Sequence, residues 1–149
     1  MPPSDRSAQI SALYQEMILD HYRRPRNKGP IEDADETVVM KNPLCGDEIM
    51  VQLRYDGDSV SDIGFSGRGC SISQASASMM TQLVKGRSRE EIESLRGRFR
   101  DMVMGTENAS DDKSLGSLRA LSGVSKFPAR VKCALLAWDA LSEGVRRRG

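Results

Sequence analysis

The 149-residue chain has no apolar run approaching the roughly 20 residues that span a bilayer, which argues against a membrane-spanning helix. Its first residues, Met1-Pro2-Pro3-Ser4-Asp5-Arg6, lack the apolar core of a secretory signal, so the cytoplasm is the expected compartment. An excess of one charge is missing too. With 22 Lys and Arg against 21 Asp and Glu the formal charge is +1, and no strong field marks the chain for nucleic acid or a membrane surface. There is no internal repeat, and histidine occurs once, as His21. Cysteine occurs three times, at Cys45, Cys70 and Cys133, and an odd count makes a disulfide framework a poor reading. Separated thiols in a reducing compartment serve for metal binding, for thiol chemistry or simply for core packing. The length suits one domain, residues 1–149, with a real hydrophobic core.

Residues 10–23 read as an amphipathic helix, with Ile10, Leu13, Met17 and His21 on one face, Tyr14 and Ile18 widening it, and Pro25 stopping it. The segment Arg23-Arg24-Pro25-Arg26-Asn27-Lys28-Gly29-Pro30 is a basic, irregular connector, either a solvated loop or a docking surface for an acidic partner. Residues 37–40 form a short strand. Between Ile49 and Tyr55 apolar and polar residues alternate with the period of a half-buried strand, Asp56-Gly57-Asp58 signals a hairpin, and residues 60–65 supply the return. Counting outwards from Gly57 sets Asp47 opposite Gly67, which brings Cys70 back beside Asp47.

Cys70 then stands at the N-terminus of a helix running to about residue 85, where free N–H groups favour a thiolate. The Ser and Ala run in that helix is either low complexity or a means of packing closely on the sheet. Ser88 and Glu91 have the spacing of a capping box for a third helix reaching about residue 104. Residues 105–114 read as an exposed loop, 115–121 as a short helix ended by Gly123, and 129–143 as a long helix. That last helix carries Val131, Leu135, Trp138 and Leu141 on its apolar face, Cys133 in its first turns, Gly144 after its end and a frayed tail Arg146-Arg147-Arg148.

The stretch Asn42-Pro43-Leu44-Cys45-Gly46-Asp47 sets a thiol and a carboxylate two residues apart, and Gly46 permits the sharp bend that aims both at one point. If the fold gathers Cys70 and Cys133 onto this turn, three thiolates and a carboxylate make a tetrahedral set suited to zinc. If it does not, these are three buried thiols. The spacings, 25 residues from Cys45 to Cys70 and 63 from Cys70 to Cys133, match no zinc-finger pattern.

The wider wording is more specific. Asp20-His21-Tyr22 with Pro25-Arg26-Asn27, the Asn42 to Asp47 stretch, Gly69-Cys70-Ser71-Ile72-Ser73 with Ala75-Ser76-Ala77-Ser78, and Phe127-Pro128-Ala129-Arg130-Val131-Lys132-Cys133 with Trp138 together resemble the IscU/NifU-like superfamily of iron-sulfur cluster assembly proteins. The segment around residues 97–116, and Lys132 where scaffold members have histidine, are similar to the SufU-type branch.

The resemblance implies an α+β fold, a small antiparallel sheet of about three strands covered by helices, with the metal site at one exposed end. It implies that Cys45, Asp47, Cys70 and Cys133 bind Zn²⁺, and that the protein accepts persulfide sulfur from a SufS-type pyridoxal-phosphate cysteine desulfurase and relays it to a downstream iron-sulfur scaffold complex. A thiolate is the attacking species, so one ligand must leave the metal, and Cys45, on a turn while Cys70 and Cys133 sit at helices, is the expected acceptor. The resemblance points to the same residue, with a histidine of the desulfurase replacing it on zinc. Two other readings stay open: a scaffold on which a [2Fe-2S] cluster is assembled, and a closed structural zinc domain. Arg68, Arg130 and Lys132 could offset the site's negative charge, or Arg130 could be a solvated helix residue. His21 reads as a packed, hydrogen-bonded residue or a catalytic one.

Overall fold

The computed structural model describes residues 5–43 and 46–148. In chain order these form α1 (Asp5–Arg23), β1 (Glu36–Asn42), β2 (Asp47–Asp56), β3 (Ser59–Arg68), α2 (Ser71–Val84), α3 (Arg89–Val103), 3₁₀ segments at Ala109–Asp111 and Lys113–Lys126, and α4 (Pro128–Arg148). The strands make one antiparallel sheet in the order β1-β2-β3. Along β2, residues Asp47, Ile49, Val51, Leu53 and Tyr55 are buried and their neighbours are not, so the period-two pattern marks the inner face. α4 packs on β1 and β2, and α2 packs on β3 and α4. This is the small helix-covered sheet the sequence implies.

α2 is buried along a continuous run from Ser73 to Thr81, which settles its Ser and Ala content as close packing. The serines inside it are bonded. Ser76 Oγ donates to Ala134 O of α4 at 2.7 Å, and Ser78 Oγ lies 2.8 Å from His21 Nδ1 of α1. At the start of α3, Ser88 and Glu91 form the expected capping box, and Phe99 further along stacks on Trp138 of α4 with ring centroids 5.5 Å apart.

The basic connector after α1 is tied to the fold, although Arg23, Arg24 and Lys28 remain exposed. Asp20 holds Arg24 at 2.7 Å and Arg26 at 2.6 Å, and Lys28 Nζ donates to Gln74 Oε1 at 3.0 Å. The Arg26 amide donates to Ser78 Oγ, and Asn27 Nδ2 to Thr81 Oγ1. Asn27 and Gly29 pair with both sides of Phe65, N–H to O at 3.1 and 2.7 Å, and so cover the outer edge of β3.

Four expectations are corrected. Leu13 is 58% exposed; the inward face of α1 is Tyr14, Met17, Ile18 and His21, and the side chain of Ile10 lies outside the described residues. The segment after residue 112 is 3₁₀ and runs through Gly123 to Lys126, with a kink at Gly116 (φ 53°) breaking it. Gly144 does not end α4. A Cβ there would stand 2.7 Å from Leu53 Cδ1, so glycine marks where the helix closes on the sheet, and its carbonyl accepts the Tyr55 hydroxyl at 3.1 Å. The arginine tail is helical and anchored: Arg147 reaches Thr37 O, and Arg148 reaches Gly57 O and covers the Tyr55 ring.

His21 is buried and its Nδ1 is hydrogen-bonded to Ser78 Oγ, which accepts the Arg26 amide. Burial first, then the Arg26 charge, lower its pKa below 6.5, while Asp20 opposes them. A lowered histidine pKa means that the unfolded chain binds the proton first, so stability is complete above 6.5 and declines as pH falls through that value. Urea unfolding followed by Trp138 fluorescence between pH 7 and about 5 should show this loss in the wild type. His21→Asn should show a flatter slope, and an equal slope in both would place the titration elsewhere.

Candidate metal centre

The site is assembled by the end of the β2–β3 ladder. Ile49 faces Gly67 and Glu48 faces Arg68, so Gly67 is two places further from Asp47 than the count from Gly57 implies. The turn is centred between Gly57 and Asp58, and an irregularity at Arg54/Tyr55 adds another residue to β3. The slip carries Gly69 and Cys70 up to Asp47 itself. The Cys70 amide donates to Asp47 Oδ1 at 3.0 Å, and Asp47 is 2% exposed.

Two glycines make this approach possible. Gly67 (φ +120°) lies so close to Glu48 O that a Cβ would collide with it, and a Cβ on Gly69 would meet Ser73 Oγ and stand 2.6 Å from Asp47 Oδ1. Read from sequence, Gly67-Arg68-Gly69-Cys70 is only a loop; the spacing of its glycines just ahead of a cysteine was the available signal.

Cys70 has extended backbone (φ −69°, ψ 171°) and is the N-cap residue of α2. Its carbonyl accepts the Gln74 amide at 3.1 Å and the Ser73 hydroxyl at 3.0 Å. It is half-buried at the start of the helix. Cys133 comes from α4, is 2% exposed and lies 3.6 Å from Ala129 O.

One ligand atom from each of Asp47, Cys70 and Cys133 lies within 4.8 Å of the other two. A tetrahedral ion with bonds of about 2.0–2.3 Å would hold such atoms roughly 3.5–3.8 Å apart, so small rotations close the set around a zinc-sized cation. Among the described residues this is the one group of three or more His, Cys, Asp or Glu with metal-binding geometry. The sequence reading thus brings together three of its four candidates. The fourth, Cys45, lies with Leu44 outside the described residues. The turn around them is described: Asn42 pairs with Asp47, Gly46 donates its amide to Asn42 O at 2.9 Å, and Gly46 adopts φ +71°, the bend expected of it.

His21, bonded to Ser78, is not part of this group. Arg68, Arg130 and Lys132 are exposed, and none forms an ion pair with another described residue.

Residues 13–134 match the model of the NifU-like N-terminal domain. The chain belongs to this family. The chain is 51% identical over 141 residues to the zinc-dependent sulfurtransferase SufU of Bacillus subtilis (strain 168), covering 95% of each protein. It is 45% identical over 140 residues to the iron-sulfur cluster assembly scaffold protein IscU of Streptococcus pyogenes serotype M1, covering 94% of this chain and 87% of that one. A crystal structure of a hypothetical protein superimposes with a TM-score of 0.86 at 45% identity, covering 92% of this chain and 99% of the other. The fold of this NifU-like chain is therefore the one its sequence motifs imply.

Gly69→Ala should force Asp47 and Ser73 apart. Its affinity for added Zn²⁺, measured by chelator competition, should fall roughly 10–100-fold, the usual effect of disturbing groups that orient ligands. Adding Ser73→Ala relieves one of the two collisions and should recover part of the loss. Wild-type affinity in Gly69→Ala would show that Asp47 is not held by this approach.

Proposed function

We propose that the chain acts as one domain, residues 1–149, and is a zinc-dependent sulfurtransferase of iron-sulfur cluster assembly. In this reading it takes persulfide sulfur from a SufS-type pyridoxal-phosphate cysteine desulfurase in the cytoplasm and passes it to a downstream iron-sulfur scaffold complex. The convergence of Asp47, Cys70 and Cys133 beside the turn that carries Cys45 is the observation that supports it most. Identity of 51% to a protein named for zinc-dependent sulfur transfer adds to it. No helix among the described residues is long and apolar enough to cross a membrane.

Cys45, Asp47, Cys70 and Cys133 are the assigned zinc ligands. Zinc, when bound, keeps coordinating thiols deprotonated at neutral pH. Cys45 is the acceptor. Its thiolate attacks the outer sulfur of the donor cysteine persulfide, a new S–S bond forms at Cys45, and the donor's own S–S bond breaks. The donor cysteine leaves as a thiolate and takes up a proton, so the sulfur moves with no net oxidation or reduction. Cys70 and Cys133 are suited to stay in place because helices hold them, and Asp47 because the Cys70 amide orients it.

The 45% identity to a scaffold protein favours a second reading, assembly of a [2Fe-2S] cluster on the same thiols. Lys132 weighs against it, since a protonated amine beside Cys133 offers no lone pair to a metal. Metal analysis of the purified protein, with cysteine-dependent alanine and sulfide production by the desulfurase, separates the two. Zinc and a stimulation that vanishes in Cys45→Ala are expected. Equal stimulation by both proteins would remove Cys45 from the role of acceptor, and iron with visible cluster absorption would favour the scaffold.

A further inference from the structure

Against the starts of α2 and α4, the segments that carry Cys70 and Cys133, runs a groove of about 860 Å³, large enough for several side chains. Tyr14 and Ile18 of α1, Ile72 of α2 and Val124 of the 3₁₀ segment give it an apolar lining. Phe127 lines it as well and is 62% exposed, an unusual state for a large aromatic side chain with no polar atom. Among the described residues the charged side chains lining it are Lys126 and Arg130, with no carboxylate. Neither cation forms an ion pair with another described residue. Ser71, next to Cys70, and Arg130, one helical turn before Cys133, carry the groove to the edge of the metal centre.

We propose that this groove is the docking site for a protein segment that presents an apolar side chain flanked by carboxylates, and that the segment belongs to the protein delivering sulfur to Cys45. The assignment of the partner rests on the function proposed above. Charge complementarity selects the occupant: an apolar surface whose charged lining among the described residues is Lys126 and Arg130 repels a basic segment and favours an acidic one that brings its own apolar anchor. Position gives the docking its use, because a donor seated against Ser71 and Arg130 has its reactive group held beside the thiol end and not elsewhere on the surface. Phe127, exposed in the free protein and desolvated in the complex, is the expected anchor contact.

The test is the affinity of the zinc-loaded protein for a purified SufS-type desulfurase, measured by calorimetry at low and high salt with wild type, Phe127→Ser and Lys126→Glu. Zinc content and the thermal midpoint read from Trp138 fluorescence report whether each variant is intact. Phe127→Ser should weaken binding about tenfold or more at every salt concentration, as loss of a central aromatic contact does. Lys126→Glu should weaken it strongly at low salt and much less at high salt. Wild-type affinity in both folded variants would overturn the groove as docking site while leaving the sulfurtransferase reading standing. Self-association of the wild type that Phe127→Ser abolishes, with desulfurase binding intact, would overturn it in favour of a second copy of the chain. No binding and no stimulation by the wild type would overturn the functional reading, and this proposal with it.

Discussion

The hydrogen bond from the Cys70 amide to Asp47 Oδ1, 3.0 Å long, joins the first residue of β2 to the residue that starts α2. A bond of this kind to a carboxylate contributes about 1.5–3 kcal/mol, and here its acceptor is almost wholly buried. It does two things at once. It orients the Asp47 carboxylate, and it uses an amide that the helix start would otherwise leave unpaired. The bond exists because β3 is long enough to return past Glu48 and because Gly67 and Gly69 have no side chains at the points of closest approach.

Cys133 reaches the same point by a different route. α4 is set against the sheet at Gly144, where Leu53 leaves no room for a side chain, and its far end is tied to the β-hairpin by Arg147 and Arg148. At its near end Ser76 bonds to Ala134 O, one residue beyond Cys133, so the two helices bearing cysteines are locked together at 2.7 Å. α2 is thus the common reference. Its buried serines hold α4 on one side and, through Ser78 to His21 and Arg26, hold α1 and the connector on the other.

Much of this was legible in the sequence. Period-two alternation located β2 and its inner face, the Ser88–Glu91 pair located the start of α3, and Gly86, with φ +87°, lies just beyond the end of α2. The approach of Cys70 to Asp47 could be anticipated because a hairpin returns its own chain, with Asp47 at the start of one arm and Cys70 just past the end of the other. The misread features share a cause. The register of the ladder, the role of Gly144 and the fate of the arginine tail depend on contacts between residues far apart in the chain, which local patterns do not encode. A glycine late in a helix looks like a stop signal until the sheet beneath it is known. The connector's cations likewise looked free because their partners are Asp20, before it, and Gln74, in a helix many residues later.

A near-zero net charge conceals how the cations are distributed. Arg24, Arg26 and Lys28 of the connector are paired or hydrogen-bonded within the fold, whereas Arg68, Lys126, Arg130 and Lys132 have no ionic partner among the described residues and flank the segments that carry Cys70 and Cys133. In the ligand set proposed above, three thiolates and a carboxylate around Zn²⁺ would sum formally to −2, and such charge is tolerated only with compensating cations or N–H groups nearby. The cations left unpaired by the fold can provide that compensation without being buried.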